Sequence, residues 1–162
     1  MPLYQNVATT TRSAEAFITV ENIALATAAS WSILTTSGGT PLKCSIAATA
    51  GQRIRADVNF MRTGSGFYLD LALLTTLGAI GIYAGSRTSS PLTEGNPGFY
   101  PQSGSFPAAT ATIQFTVQAG QIDGSGNATV AMVYQGSGTE TVYASATYPW
   151  RLLLTNLGAE PS

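Results

Sequence analysis

The sequence predicts an all-β protein, a jelly-roll-like antiparallel β-sandwich with an extended N-terminal arm. Three observations lead there. Apolar and polar residues alternate with period two through most of the chain, which is the spacing of a strand with one buried face. Clusters of Gly, Ser, Asn and Pro interrupt that alternation about every eight to twelve residues. No segment carries a helical period. Roughly eight to ten short strands bounded by such turns make a sandwich or barrel, and their number suits a jelly roll.

The elements follow in order. Residues 1–12 are polar and Thr-rich and carry Leu3, Tyr4, Val7 and Arg12. They have no strand or helix period and read as an arm, whose apolar residues would bury against a neighbour. Phe17, Ile18 and Val20 mark a first strand, and Trp31 and Ile33 alternate with Ser30 and Ser32 in a second. Gly38-Gly39 is a turn, after which Leu42, Cys44 and Ile46 face one way and Lys43, Ser45 and Ala47 the other. After the break at Ala50-Gly51, Ile54, Ala56, Val58 and Phe60 alternate with Arg53, Arg55, Asp57 and Asn59. Thr63-Gly64-Ser65-Gly66 reads as a hairpin. The return run Phe67–Leu74 is apolar on both faces apart from Tyr68 and Asp70, as in a central strand covered on both sides. Residues 78–83 continue as a short strand.

Residues 85–109 change character. They hold Pro91, Pro97, Pro101 and Pro107, four glycines, and the aromatics Phe99, Tyr100 and Phe106. Proline is excluded from central strands, so this stretch reads as a long loop, ordered by its aromatics and available for contacts. Strands resume with Ile113, Phe115 and Val117, then Val130, Met132 and Tyr134, then Thr141, Tyr143 and Ser145 opposite Val142 and Ala144. Asp123–Asn127 reads as a turn and Gly136-Ser137-Gly138 as a hairpin. Trp150–Leu154 is the last strand. Length allows one domain: a sandwich over 13–157 and a short tail over 158–162.

Composition narrows the function classes. Charged residues are 9% of the chain and net charge is −1, against about 25% charged residues in an ordinary soluble domain. The exposed faces are therefore neutral and polar, suited to burial in an assembly because little charge must be desolvated. No basic patch is present for nucleic acid, and the aromatics do not interleave with basic residues. No run approaches the roughly 20 apolar residues of a membrane span, and Met1–Asn6 does not read as a signal peptide. The protein is expected to be made in a host cytoplasm and to need neither nucleic acid nor membrane as a partner.

The chain contains no histidine, which removes the usual general base, the Ser–His pair and the commonest metal ligand. Cys44 is the one cysteine; it lies on an apolar strand face and reads as a small buried hydrophobe. Asp57 and Asp70 would be near neighbours across a 53–74 hairpin, as a glycosidase carboxylate pair would need. With Arg53, Arg55 and Arg62 beside them, they read instead as a cross-strand ion pair. Asp123, Ser125 and Asn127 have the one-three-five spacing of a calcium loop but lack its closing Glu, and read as a tight turn. No catalytic residue, metal site or cofactor is expected.

The run Ala50–Phe60 with its glycine hairpin, and the ending Tyr148-Pro149-Trp150-Arg151-Leu152-Leu153-Leu154-Thr155-Asn156, resemble the trimeric jelly rolls of virus particles. These include bacteriophage capsid decoration (cement) proteins and fibre tips, similar in turn to tumour-necrosis-factor and C1q trimers. The resemblance implies a structural virion protein, a homotrimer on the outer capsid surface that bridges major-capsid subunits. Leu3, Tyr4, Val7 and Arg12 would strap onto the lattice. Phe99, Tyr100 and Phe106 would contact a neighbour or crown the surface. The second apolar face (Tyr68, Leu74, Val133, Val142, Leu153) would meet other subunits. The competing readings are a receptor- or glycan-binding head- or tail-fibre tip and a cellular C1q-like or carbohydrate-binding module. A fibre tip normally follows a shaft, and only a dozen residues precede the first strand here, which favours a stand-alone clamp.

Overall fold

The computed structural model describes residues 12–18, 22–83, 108–143 and 149–159. Nine strands follow in chain order: β1 (Arg12–Ile18), β2 (Asn22–Ala24), β3 (Ala28–Ile33), β4 (Lys43–Ala47), β5 (Gln52–Leu74), β6 (Ile80–Tyr83), β7 (Ala108–Thr116), β8 (Asn127–Tyr143) and β9 (Trp150–Ala159). The one helical element among the described residues is a 3-10 turn at Ala119–Gln121. All ladders are antiparallel, so the all-β antiparallel class is as the alternation predicts.

β5 organises the sheet. Arg53–Asn59 pair with β7 and with β9 at once, so those strands lie on opposite edges. Met61 pairs with Ala108 of β7 and Tyr143 of β8, which puts β8 on the β9 side. Ala72 and Leu73 pair with both β8 and β6, which puts β6 on the β7 side. One edge of β5 therefore carries β9 then β8, and the other carries β7 then β6. β1 covers the far edge of β9, and β2, β3 and β4 share the far edge of β8. Two strand orders result: β1–β9–β5–β7 through residues 52–59, and β2/β3/β4–β8–β5–β6 through residues 61–74.

These halves pack face to face as a β-sandwich. Ile54, Ala56, Val58, Ile113, Phe115, Leu152 and Leu154 of the first join Leu42, Cys44, Ile46, Phe67, Leu69, Leu71, Val130 and Met132 of the second in one buried cluster. Trp150 spans the layers, its Nε1–H directed at Met132 Sδ 3.0 Å away. The alternation at 42–46, 54–58 and 113–117 is borne out, with the apolar set buried in each.

Two local readings are corrected. Thr63–Gly66 does not close a hairpin: β5 runs through it for 23 residues. Nor does Gly136–Gly138, since β8 runs unbroken for 17 residues. The two segments are neighbours in one ladder, with Gly64 opposite Glu140, Ser65 opposite Thr139, Phe67 opposite Gly136, and a bulge between Ser65 and Phe67. Glycine in a strand marks a bulge or sharp bend as readily as a turn. Gly136 has φ 137°, open to glycine and strained for other residues. Boundaries also shift: Arg12 belongs to β1, opposite Asn156, and Gly158 and Ala159 belong to β9, not to an arm and a tail.

The second half is strongly curled. β3 and β6 flank the β8–β5 pair on opposite sides, and in a flat sheet they would sit about 14 Å apart. Some of their Cα atoms instead come within 8 Å of each other. The face between them is the one turned away from the main core. It carries Asp70, Ala72, Ala131 and Val133, each at most 1% exposed and none part of the main buried cluster. Alanines at the centre leave room for the flanking strands to close in.

Leu71 is fully buried in the main core, whereas Leu77 is 94% exposed in the β5–β6 turn. Leu71→Ala is expected to cost about 3 kcal/mol of stability through lost burial and a residual cavity. Leu77→Ala is expected to change stability by less than about 0.5 kcal/mol. Urea unfolding of both variants checks the contrast.

Candidate functional site

The surface offers two contrasting regions, one on each half of the sandwich. The first is the outer face of the β1–β9–β5–β7 half. Period two places Ser13 and Glu15 of β1, Arg151, Leu153 and Thr155 of β9, Arg53, Arg55 and Asp57 of β5, and Thr112, Gln114 and Thr116 of β7 on it. Four of its five charges form two local pairs. Arg151 Nε bonds the Glu15 carboxylate across β9 and β1. Arg55 Nε bonds Asp57 Oδ2 at 3.0 Å, two residues along one strand, and Thr112 Oγ1 donates to Asp57 Oδ1 at 2.6 Å. What remains is the partly buried Arg53, hydroxyls, amides and the half-buried Leu153, which stands opposite Glu15 on one side and Asp57 on the other.

This geometry corrects the carboxylate reading. Asp57 and Asp70 do not face each other across a hairpin; they lie 13 residues apart on one continuous strand, Asp57 on the outer face of the first half and Asp70 in the curl of the second. Asp57 pairs along its own strand. Asp70 is 1% exposed and accepts a hydrogen bond from the backbone N–H of Leu71 at 2.7 Å. Burial raises its carboxyl to about 7, against the opposing effect of that hydrogen bond. The signal for an unusual acid was present in the sequence: Asp70 interrupts the apolar run Phe67–Leu74.

Three of the residues expected to meet other subunits are buried within this chain: Leu74 (2% exposed), Val133 (0%) and Val142 (1%). Val142 packs in the main core, and Val133 lies on the face that β3 and β6 close over. Val142 faces the main core, Leu153 the outer face of the first half, and Leu74 and Val133 the opposite face of the second half, so these four do not share one face. Leu153 alone of the set, among the residues whose side chains are described, retains exposure. Tyr68 lies in β5 opposite Gln135, and its side chain falls outside the described residues. So do Leu3, Tyr4, Val7, Phe99, Tyr100 and Phe106, and the side chain of Arg12.

The remaining polar candidates have structural employment. Asp123 Oδ1 accepts from the N–H of Ser125 (2.8 Å) and of Asn127 (3.0 Å), and Gly126 N–H donates to Asp123 O, so the 123–127 loop is the tight turn its glycines predict. Cys44 is buried in the core, and desolvation pushes its thiol above the ordinary value. Among the described residues no three His, Cys, Asp or Glu side chains group as a metal site would require. A cleft of about 340 Å³ opens between β2 and the turn after β3. Leu25, Leu34, Thr36, Ser37 and Tyr134 line it, and Tyr134 packs at a tilt against Phe67.

Asn156 is a residue the sequence reading passed over. Its Nδ2 donates to Ala47 O (2.9 Å) and Gln52 Oε1 (2.8 Å), and its Oδ1 accepts from Gly158 N–H (2.9 Å). It ties the end of β9 to the β4–β5 connection. No protein-family model matches the chain, and no curated protein matches it either.

Asn156→Ala removes three hydrogen bonds at a buried site and is expected to cost about 2–3 kcal/mol. Arg151→Ala breaks an exposed ion pair and is expected to cost less than about 1 kcal/mol, an effect that vanishes at high salt. Denaturation of both variants at low and high ionic strength measures the difference.

Proposed function

We propose that the protein is a structural virion component, a decoration protein that binds the outer surface of a phage head and bridges its major-capsid subunits. One observation carries the reading: the outer face of the β1–β9–β5–β7 half is broad, polar and sparsely charged, with four of its five charges held in ion pairs and Leu153 among them. A macromolecular partner can bury such a face with little charge to desolvate. The two-layered antiparallel order supports the finer reading of the sandwich as a jelly roll, with β2, β3 and β4 sharing one edge of the second layer. Edge strands add support. Among the described residues β7 pairs only with β5, and its sequence, Ala108–Thr116, contains no charge, Pro or Gly. Edges kept from pairing are normally blunted by charge or proline, so this one is suited to augmentation by a neighbour. A repeated lattice multiplies weak contacts through avidity.

The chemistry of the site favours no catalytic alternative. The acids of the outer face are held in ion pairs and hydrogen bonds, and the chain has no histidine to serve as a base. β1 lies at the edge of its layer, so a strap carrying Leu3, Tyr4 and Val7 would start beside that edge.

The test is co-sedimentation with capsids encoded by the same genome. Deleting residues 2–11 leaves β1 intact and is expected to abolish capsid binding while the far-UV spectrum stays that of the β-fold. Leu153→Arg on the outer face is expected to weaken binding at least tenfold. Full binding by both variants would refute the reading.

A further inference from the structure

Among the described residues, Leu77 is the one large apolar side chain left exposed to solvent. The turn that carries it does not require it. Gly78 N–H donates to Thr75 O at 2.9 Å, so Thr76 and Leu77 are the central pair of a four-residue turn. Gly78 follows with φ 78°, the left-handed position that ends such a hairpin loop. Thr75 completes the frame: its N–H donates to Ala79 O at 2.7 Å, and its Oγ1 accepts from Ala79 N–H at 3.2 Å. A turn framed this way accepts most residues at its tip, so the leucine is not there to make the turn. Thr76 N–H also donates to Gly120 O at 3.0 Å, which anchors the tip to the neighbouring 3-10 turn. No residue of 75–79 or 117–122 is charged. Leu77 is therefore an apolar knob on a firmly held, uncharged support, and little further ordering is needed to bury it.

The cleft between β2 and the turn after β3 has the complementary shape and the same chemistry. Its volume is about 340 Å³. That is near the small end of the range for binding pockets, about 300–1,000 Å³, and suits a side chain better than a folded element. The buried Ile23, Leu25 and Leu34 and the half-buried Tyr134 form its floor, and no lining residue is charged. Its polar wall is engaged in its own turn. Thr36 N–H donates to Thr40 O, Thr36 O accepts from Gly39 N–H, and Thr36 Oγ1 accepts from Thr40 N–H at 3.0 Å. A charged guest would meet no counter-charge there, whereas an aliphatic side chain would rest on an aliphatic floor. Leu77 does not fill the cleft of its own chain, because it is exposed.

We propose that Leu77 of one copy seats in this cleft of the next, so that the chain self-associates head to tail. The knob stands on the β5–β6 turn and the cleft beyond the edge of β8, so the joint pairs two different surfaces. Each copy gives one Leu77 and receives another, and such a series closes into a ring or continues as a chain. Seating the leucine removes apolar area from water on both partners, with no charge of the knob's turn or the cleft's lining to desolvate. One joint is small beside the roughly 1,200–2,000 Å² of a stable interface. It is weak alone and gains from ring closure, which makes the last contact intramolecular. The joint needs only copies of this chain and is independent of the capsid reading.

Sedimentation velocity of the full chain up to about 1 mM tests this, a range in which even a millimolar Kd is visible. The wild type is expected to self-associate. Leu77→Asp loses the knob and keeps the cleft. Ala26→Trp, on the exposed rim, fills the cleft and keeps the knob. Each is expected to weaken association at least tenfold with an unchanged far-UV spectrum, and Leu77→Met to retain it. Ala26→Glu is a second cleft variant should the tryptophan disturb the fold. Mixing decides the geometry. Leu77→Asp and Ala26→Trp copies have one intact joint between them, so their mixture is expected to form a dimer of one copy of each and nothing larger. A wild type that stays monomeric over this range would overturn the proposal. So would undiminished association of Leu77→Asp or of both Ala26 variants, and so would a mixture that stays monomeric or grows beyond the dimer.

Discussion

The shared strand β5 is the constraint on which the other elements depend. A typical strand has about five or six residues; β5 has 23 and belongs to both layers. Near both ends it has partners on both edges, so its backbone groups there are satisfied while it passes through the interior. A strand this long cannot stay flat and serve two layers that face each other. It has to bend, and its neighbour β8 must bend beside it. The glycines meet that need: Gly64 and Gly66 of β5 run alongside Gly136 and Gly138 of β8, with the bulge between Ser65 and Phe67. The seam sets where one layer ends and the other begins. That in turn sets which residues of β9, β7, β8 and β6 share the core.

This explains which parts of the fold were legible in the sequence. The alternations at Leu42–Ile46, Ile54–Val58 and Ile113–Val117 were readable because each lies in a straight stretch with one buried face. The glycine segments were misread because a local signal does not separate a reversal from a bend; only the partner segment opposite does, and it lies about 70 residues away. The same ambiguity misplaced Asp70. A hairpin would have put it beside Asp57 and the arginines, whereas a continuous strand carries it to the other layer. Val133 and Leu74 looked like subunit contacts because period two shows that a second face is apolar without showing what covers it. The curl of β3 and β6 is a tertiary event with no local signature, although Ala72 and Ala131 at its centre are its trace.

The candidate site was less legible than the fold for a related reason. The outer face of the first half has no motif. Its character is sparse charge, most of it paired, Glu15 with Arg151 and Arg55 with Asp57. The first pair joins residues 136 positions apart, and only the β1–β9 register brings them together. Composition gives the scarcity of charge. It does not reveal that four of the five charges on this face meet in adjacent pairs around Leu153. That arrangement makes the face suitable for burial against a partner, since a scattered set of unpaired charges would have to be desolvated one by one.

Set against that economy of charge, Asp70 and Glu140 are the two buried carboxyls among the described residues. At Asp70 an asparagine or a threonine would fit the same strand without the cost of burying an acid. Each side chain facing the main core from β5 is aliphatic or aromatic wherever side chains are described. Sequences that fold well are consistent at every level, and departures from that consistency concentrate where function or strain requires them. The departure here is a carboxyl that burial raises to about 7, on the face of β5 turned away from the main core, where Ala72, Ala131 and Val133 are apolar. Its cost falls on that layer, because the main core lies on the other side of the strand.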